Sequence, residues 1–302
     1  MGREPAVHVE GLRKRYGDTV AVDGVSLEVM RGEIFGIVGR NGSGKTTTVE
    51  CVQGLRRADG GEVRVLGLDP RTQGGELRRR IGCQLQESAL PERIRVWEAL
   101  DLFAALGPRS ADWHRLLDDW GLQGKRDASF HSLSGGQRQR LFVALALVNH
   151  PEVVFLDEMT TGLDPAARRV AWELIGAVRD QGTTVVLVTH FMEEVERLCD
   201  RVAVLDHGRL VAGGTPAEIA ARHGGGTRVR FSADGRDLAW LEHVPHVREV
   251  VRHGRQVEVA GDGPVLPIVA AALVERGIVP EDMRVEQPTL EDAFLRLVGA
   301  EQ

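Results

Sequence analysis

Apolar and polar positions alternate over residues 5–9 and again over 25–29, the two-residue period of half-buried strands. A polar turn containing Tyr16-Gly17-Asp18 lies between them. At Ile34-Phe35-Gly36-Ile37-Val38 the alternation stops and the run is apolar on both faces, as in a parallel strand covered from either side. A glycine-rich stretch follows, and then a helix starting near Gly44. The same reasoning predicts strands over 62–66, 81–86, 153–157, 184–189 and 201–205. Residues 96–150 show no strand pattern and read as mostly helical, with breaks at Gly107-Pro108, Gly121 and Gly124. Together these elements predict an α/β fold: a mostly parallel sheet, an antiparallel β part near the N-terminus, and an inserted helical subdomain at about 90–150.

After Gly213-Gly214 the segment TPAEIAARHGGG predicts one short helix and a glycine linker. Residues 227–287 then read strand, helix, strand, strand, helix, strand. The strands are near 227–231, 246–252, 255–260 and 283–287, and the helices near 235–242 and 264–276. That order suits a split βαβ module. A last helix, PTLEDAFLRLV, begins with Pro288 and the cap candidate Thr289, with Glu291 and Asp292 in its first turn. Two domains are therefore expected, 1–222 and a small α+β accessory domain at 225–302.

Composition narrows the classes without choosing among them. The 302 residues are 42% hydrophobic and 27% charged, as in ordinary globular proteins. The net charge of -6 argues against a bulk electrostatic nucleic-acid binder. Cys51, Cys83 and Cys199 are odd in number, far apart and without metal-ligand spacing, which predicts reduced thiols in a cytosolic compartment. The N-terminus has no apolar stretch and does not read as a signal peptide. The longest apolar run, Leu141 to Val148, is far short of the roughly 20 residues of a membrane span.

Chemistry enters at Gly39-Arg40-Asn41-Gly42-Ser43-Gly44-Lys45-Thr46, which matches G-x-x-x-x-G-K-[ST] between a buried strand and a helix. Backbone N–H groups of Gly42 to Thr46 can converge on phosphate oxygens, aided by the helix N-terminus. Lys45 is the candidate to neutralise β- and γ-phosphate charge and Thr46 to ligate Mg²⁺, with Asn41 and Thr47 completing the nucleotide-binding set. In Val153-Val154-Phe155-Leu156-Asp157-Glu158, two carboxylates emerge at the carboxyl end of an apolar strand, the edge where parallel sheets bind ligands. Asp157 suits the Mg²⁺ shell and Glu158 the general base that takes a proton from attacking water. These two motifs fit any P-loop NTPase. Leu133-Ser134-Gly135-Gly136-Gln137, just before the helix RQRLFVALALVNH, narrows the field by adding a second anion site.

With LSGGQ the chain resembles the ABC ATPase family over about residues 5–220. The resemblance implies that Ser134, Gly135, Gly136 and Gln137 act in trans on the nucleotide of a second ATPase subunit, most simply in a homodimer. It implies that Tyr16 stacks on adenine, and that Gln86 forms the Q-loop, sensing Mg²⁺ and the membrane partner. Asp164 in GLDP matches the D-loop, and His190 in VLVTH the switch histidine that contacts the γ-phosphate. Two residues depart from the family pattern. Arg40 and Met159 stand where proline is common, yet neither change removes a proposed phosphate or metal ligand.

The segment after His190, the Q-loop context and the C-terminal LEDAFLRLVG resemble the drug- and antibiotic-export ATPases that pair with ABC-2 type permeases. That implies an ATP- and Mg²⁺-dependent subunit powering export of a drug, antibiotic or other small hydrophobic compound. It also implies a cytoplasmic location, held to the inner face of the membrane through the permease, with no nucleic-acid partner. The alternative is a soluble member of the superfamily acting on ribosomes or nucleic-acid complexes. Such proteins usually carry two ATPase units, zinc sites or long coiled coils, none visible here.

Overall fold

A computed structural model describes residues 4–85, 89–107, 112–233, 237–280 and 282–299. The chain divides into two compact units, residues 1–215 and 216–302.

The first unit opens with a long hairpin, β1 (Pro5–Tyr16) and β2 (Thr19–Met30). Alternation marked only its far ends, but the ladder continues to Tyr16 opposite Thr19. Bulges conceal the rest. Val9 pairs with Leu27 and Leu12 with Val25, so β1 carries one extra residue there. Gly11 absorbs it at φ 57°, its N–H donating to Ser26 Oγ at 2.9 Å. Arg13 then pairs with Asp23, leaving Gly24 as the extra residue on β2 at φ 76°. Each bulge moves the inward face by one position, so the two-residue period breaks while the strand goes on.

Next come β3 (Ile34–Val38), α1 (Lys45–Val52), β4 (Gly60–Val65), the short α2 (Gly74–Leu77) and β5 (Ile81–Gln84). The segment expected to be helical gives α3 (Val96–Ala105), α4 (Trp113–Asp119) and α5 (Gly135–Leu147). β6 (Val153–Asp157), α6 (Pro165–Asp180), β7 (Thr184–Val188), α7 (Met192–Leu198), β8 (Arg201–Asp206) and β9 (Arg209–Gly214) complete the unit.

The strands form two sheets. One is antiparallel, in the order β2-β1-β4; the other has six strands, β5-β6-β7-β3-β8-β9, parallel except that β9 runs against β8. Every residue of β3, β6 and β7 is buried, as a parallel strand covered on both faces requires. One core joins Val7, Val9 and Leu12 of β1 and Val25 and Leu27 of β2 to Val49 and Val52 of α1. From the large sheet it takes Phe35, Ile37, Phe155 and Val186. β9 was not expected: RLVAGG is an edge strand without a buried face. Its hairpin turn has His207 at φ 44° and Gly208 at φ 75°, the two left-handed residues of a tight I′-like turn.

The second unit holds α8 (Pro216–His223), β10 (Thr227–Ser232), a 3₁₀ turn at Ala239–His243, β11 (Val247–His253), β12 (Gln256–Gly261), α9 (Val265–Glu275), β13 (Arg284–Glu286) and α10 (Leu290–Gly299). Its antiparallel sheet has the order β11-β12-β10-β13, the split βαβ arrangement that the pattern suggested. The first helix of that module is reduced to the 3₁₀ turn among the described residues. The expected boundary at residue 222 put the helix now labelled α8 with the first domain; instead it packs on α10 in the second unit. Ile219 and Ala220 are buried there, as are Leu290, Ala293 and Val298 of α10. Thr289 caps α10 reciprocally: its Oγ1 accepts the Asp292 N–H at 3.1 Å, and Asp292 Oδ2 accepts the Thr289 N–H at 3.0 Å. Among the described residues no helix is long and apolar enough to cross a membrane.

Candidate active site

Sheet register decides which side chains meet. Asp157 of β6 pairs with Val188 of β7, and Val188 with Ile37 of β3, so the three lie in one row. The Glu158 N–H then donates to Val188 O at 2.8 Å and the Thr189 N–H to Ile37 O at 3.2 Å. Beyond that row, adjacent strands deliver Glu158, His190 and the Gly39–Thr46 loop to the same carboxyl edge of the sheet. Gln84 pairs with Leu156 at the end of β5; Gln86, two residues on, lies outside the described residues.

The loop owes its path to close backbone contact. A Cβ on Gly39 would lie 2.3 Å from Leu205 O and from Ser43 Oγ, and one on Gly44 would lie 2.4 Å from Ala21 O. Gly42 has open space around it but needs φ 81°. A clamp formed by the β8–β9 turn holds the loop from outside. Gly208 donates its N–H to Ser43 O at 3.1 Å and accepts the Asp23 N–H at 2.8 Å, and Arg209 pairs with Asp23 at 2.7 Å. Gly44 is the N-cap of α1 and brings no side-chain cap, so the first-turn N–H groups of α1 face outward from the helix end. Lys45 is buried, its Nζ donating to Gly39 O at 2.8 Å and Arg40 O at 3.0 Å. Burial lowers its pKa, opposed by the Glu158 and Asp157 carboxylates. Arg40 is exposed at the loop's start.

At the end of β6, Asp157 is 5% exposed. Burial, reinforced by Glu158 and opposed by Lys45, pushes its carboxyl up to about 6. Its Oδ1 has no hydrogen-bond partner. Glu158 takes φ 49°, a left-handed conformation costing on the order of 1–3 kcal/mol in a residue with a Cβ. That turn brings Glu158 Oε1 to 3.2 Å from His190 Nδ1. Met159, in the proline position, is 1% exposed and serves the core.

Ser134 caps α5 in a reciprocal box: its Oγ accepts the Gln137 N–H at 3.3 Å while Gln137 Oε1 accepts the Ser134 N–H at 3.0 Å. The Gln137 side chain thus shapes the cap. A Cβ on Gly135 would meet nothing within 4 Å, so the start of this helix is an open surface. Asp164 caps α6, Oδ1 accepting the N–H groups of Ala166 and Ala167 at 3.0 and 2.9 Å. Tyr16 stands 41% exposed at the hairpin tip, with Lys14 Nζ 5.4 Å and Arg56 Cζ 5.5 Å from its ring centre.

One group escaped the sequence reading. Glu194 of α7 is wholly buried and accepts the Trp172 Nε1–H of α6 at 3.0 Å. No motif covers it, and a glutamate on a short charged helix carries no signal of burial.

Comparison with known proteins places the chain. The ABC transporter family profile matches residues 22–161. The Nod factor export ATP-binding protein I of Ralstonia nicotianae is 39% identical over 100% of this chain and 96% of its own length. The daunorubicin resistance ATP-binding protein DrrA3 of Streptomyces coeruleorubidus is 38% identical over 98% of this chain and 96% of its own. The chain belongs to the ABC transporter ATP-binding proteins. Among solved structures, a dimeric bacterial ABC transporter cassette is similar with a TM-score of 0.63 and 26% identity, over 69% of this chain and 98% of that one. This ABC protein is an ATPase, and its first unit is the P-loop fold of that family. The fold implies ATP and Mg²⁺, and the residues present fit a magnesium ion. Asp157 Oδ1 is buried without a partner, and Thr46 offers a hydroxyl in the first turn of α1. Among the described residues no three His, Cys, Asp or Glu side chains gather into a metal cage. A hydroxyl and one carboxylate, completed by phosphate and water, is what magnesium ordinarily takes.

Proposed function

We propose that this ABC ATPase drives export of a small hydrophobic compound, such as a drug or antibiotic, through a separate ABC-2 type permease. It works as a homodimer and is held at the inner membrane face by that permease. The observation that carries the export reading is near end-to-end similarity, through the C-terminal unit, to ATP-binding proteins of Nod factor export and daunorubicin resistance. Those relatives give the ribosome or nucleic-acid reading no support.

The roles proposed at the site combine the family resemblance with the geometry above. The backbone N–H groups from Gly42 to Thr46 hold the phosphates, with Asn41 and Thr47 completing the nucleotide-binding set, and Lys45 balances the charge. Asp157 and Thr46, with Gln86, would hold magnesium, which would supply positive charge against the phosphates. Glu158 accepts a proton from the attacking water as oxygen bonds to the γ-phosphorus and the bond to ADP breaks. His190, 3.2 Å from Glu158, orients that carboxylate and meets the γ-phosphate. Tyr16 stacks on adenine. Ser134, Gly135 and Gly136 close on the nucleotide of the second subunit, with Gln137 bracing their turn and Asp164 the neighbouring loop.

Glu158→Gln tests the assignment. Turnover should fall by roughly 10²–10⁴, with ATP binding retained. Tagged in its native cell and solubilised with Mg-ATP, this variant should bring down a multi-span membrane protein lacking ATPase motifs. Recovery with ribosomes or nucleic acid in the soluble fraction would overturn the transporter coupling.

A further inference from the structure

Glu194 is a carboxyl buried at 0% exposure that the hydrolysis scheme does not use. Isolated charge in such a place is costly, and burial raises its pKa despite the polar groups around it. Those groups come from three segments of the site. Trp172 Nε1 on α6 donates to Oε1 at 3.0 Å. The hydroxyls of Thr189, just before His190, and of Thr160, two residues past Glu158, lie near enough to stabilise its charge, as does Arg168 of α6. Thr189 Oγ1 also accepts the Phe191 N–H at 3.1 Å, fixing the turn that carries His190. The Arg168 guanidinium stacks 4.5 Å from the Phe191 ring centre, on the other side of that histidine. Yet Glu194 Oε2, Thr160 Oγ1 and Arg168 Nε are buried without a hydrogen bond of their own. Replacing a buried polar cluster by apolar side chains of equal volume is often neutral or stabilising, so fold stability alone does not account for it.

We infer that Glu194 is a positioning residue that ties α7 to α6 behind the histidine turn after β7, and so sets the His190–Glu158 contact. Wholly buried, it acts through His190 rather than on the reacting atoms. The inference rests on the roles proposed above for Glu158 and His190.

The test is a double-mutant cycle on the full chain, reading kcat and KM for ATP. Glu194→Ala should lower kcat about tenfold with KM changed less than about twofold, the split left by a lost transition-state contact. Glu194→Gln, which still accepts the indole N–H, should restore most of the rate. In a His190→Ala background Glu194→Ala should slow turnover no further, because the residue it positions is gone. If it costs the same factor there as in the parent, or raises KM in step with the loss of kcat, the inference is overturned. Should Glu194→Ala fail to fold, Trp172→Phe removes only the indole donor and runs through the same cycle with the same outcomes. Unaltered turnover in His190→Ala and Glu158→Gln themselves would instead overturn the assignment of the site.

Discussion

Asp157 pays for its position in folding stability. Its folded-state pKa of about 6 lies above the unfolded value. The contribution of its neutral form is therefore fully present below about pH 4 and is lost as pH rises through about 6. At pH 8 the buried carboxylate costs on the order of 2–3 kcal/mol. Asp157→Asn should thus melt higher than the parent at pH 8 in the absence of nucleotide and Mg²⁺. The gain should shrink toward pH 4, and Mg²⁺-dependent ATPase activity should be lost. Melting curves at the two pH values check this, and equal Tm values at pH 8 would count against it. At the same scale, Lys45, Asp157 and Glu158 stand out in the sequence because each ends or follows a buried apolar strand or begins the helix after one, whereas His190 is singled out only through the resemblance to the ABC family. Thr160, Thr189 and Glu194 do not stand out, because ordinary polar residues in a loop and on a helix carry no period that reveals burial.

At the scale of elements, the phosphate loop depends on its glycines for two separable reasons. Gly39 has no room for a methyl group, with Leu205 O and Ser43 Oγ both at 2.3 Å, whereas Gly42 has room but an unfavourable φ. Gly39→Ala should therefore force the loop from its path and cost roughly 1–3 kcal/mol, with ATP affinity down more than tenfold. Gly42→Ala should cost about 1 kcal/mol. Chemical denaturation and nucleotide titration of the pair will rank them, and a reversed order would show that φ outweighs the contact. The buried strands β3, β6 and β7 were readable from apolar runs. The middle of the first hairpin was not, since Gly11 and Gly24 each displace the alternation by one residue. β9 was missed because an exposed edge strand buries no face that a pattern could mark.

At the scale of the molecule, the open start of α5 suits a surface that meets another copy. The Glu158→Gln chain should pass from monomer to dimer on gel filtration when ATP and Mg²⁺ are added. Ser134→Arg in that background should stay monomeric while losing only about 1 kcal/mol of stability with its cap. A dimer in both would move the contact elsewhere. The sequence pattern put the division at the Gly224–Gly226 linker, whereas the two units meet in sequence at Thr215 and Pro216. Assignment of α8 to the second unit was not foreseeable, because the partner of its apolar face, α10, lies at the far end of the sequence.

The clamp on the phosphate loop has a consequence for the order in which this protein is made. Gly39 to Thr46 are synthesised early, but the Gly208 and Arg209 groups that fasten Ser43 and Asp23 come almost at the end of the first unit. Domains tend to fold as units while the chain emerges from its N-terminus. A nascent chain that has not yet reached β9 therefore carries the whole nucleotide motif without the turn that shapes it. A product interrupted before β9 lacks the Gly208 hydrogen bonds and the Arg209–Asp23 pair that fasten the phosphate loop, so the last-made part of the unit is needed to complete the earliest motif.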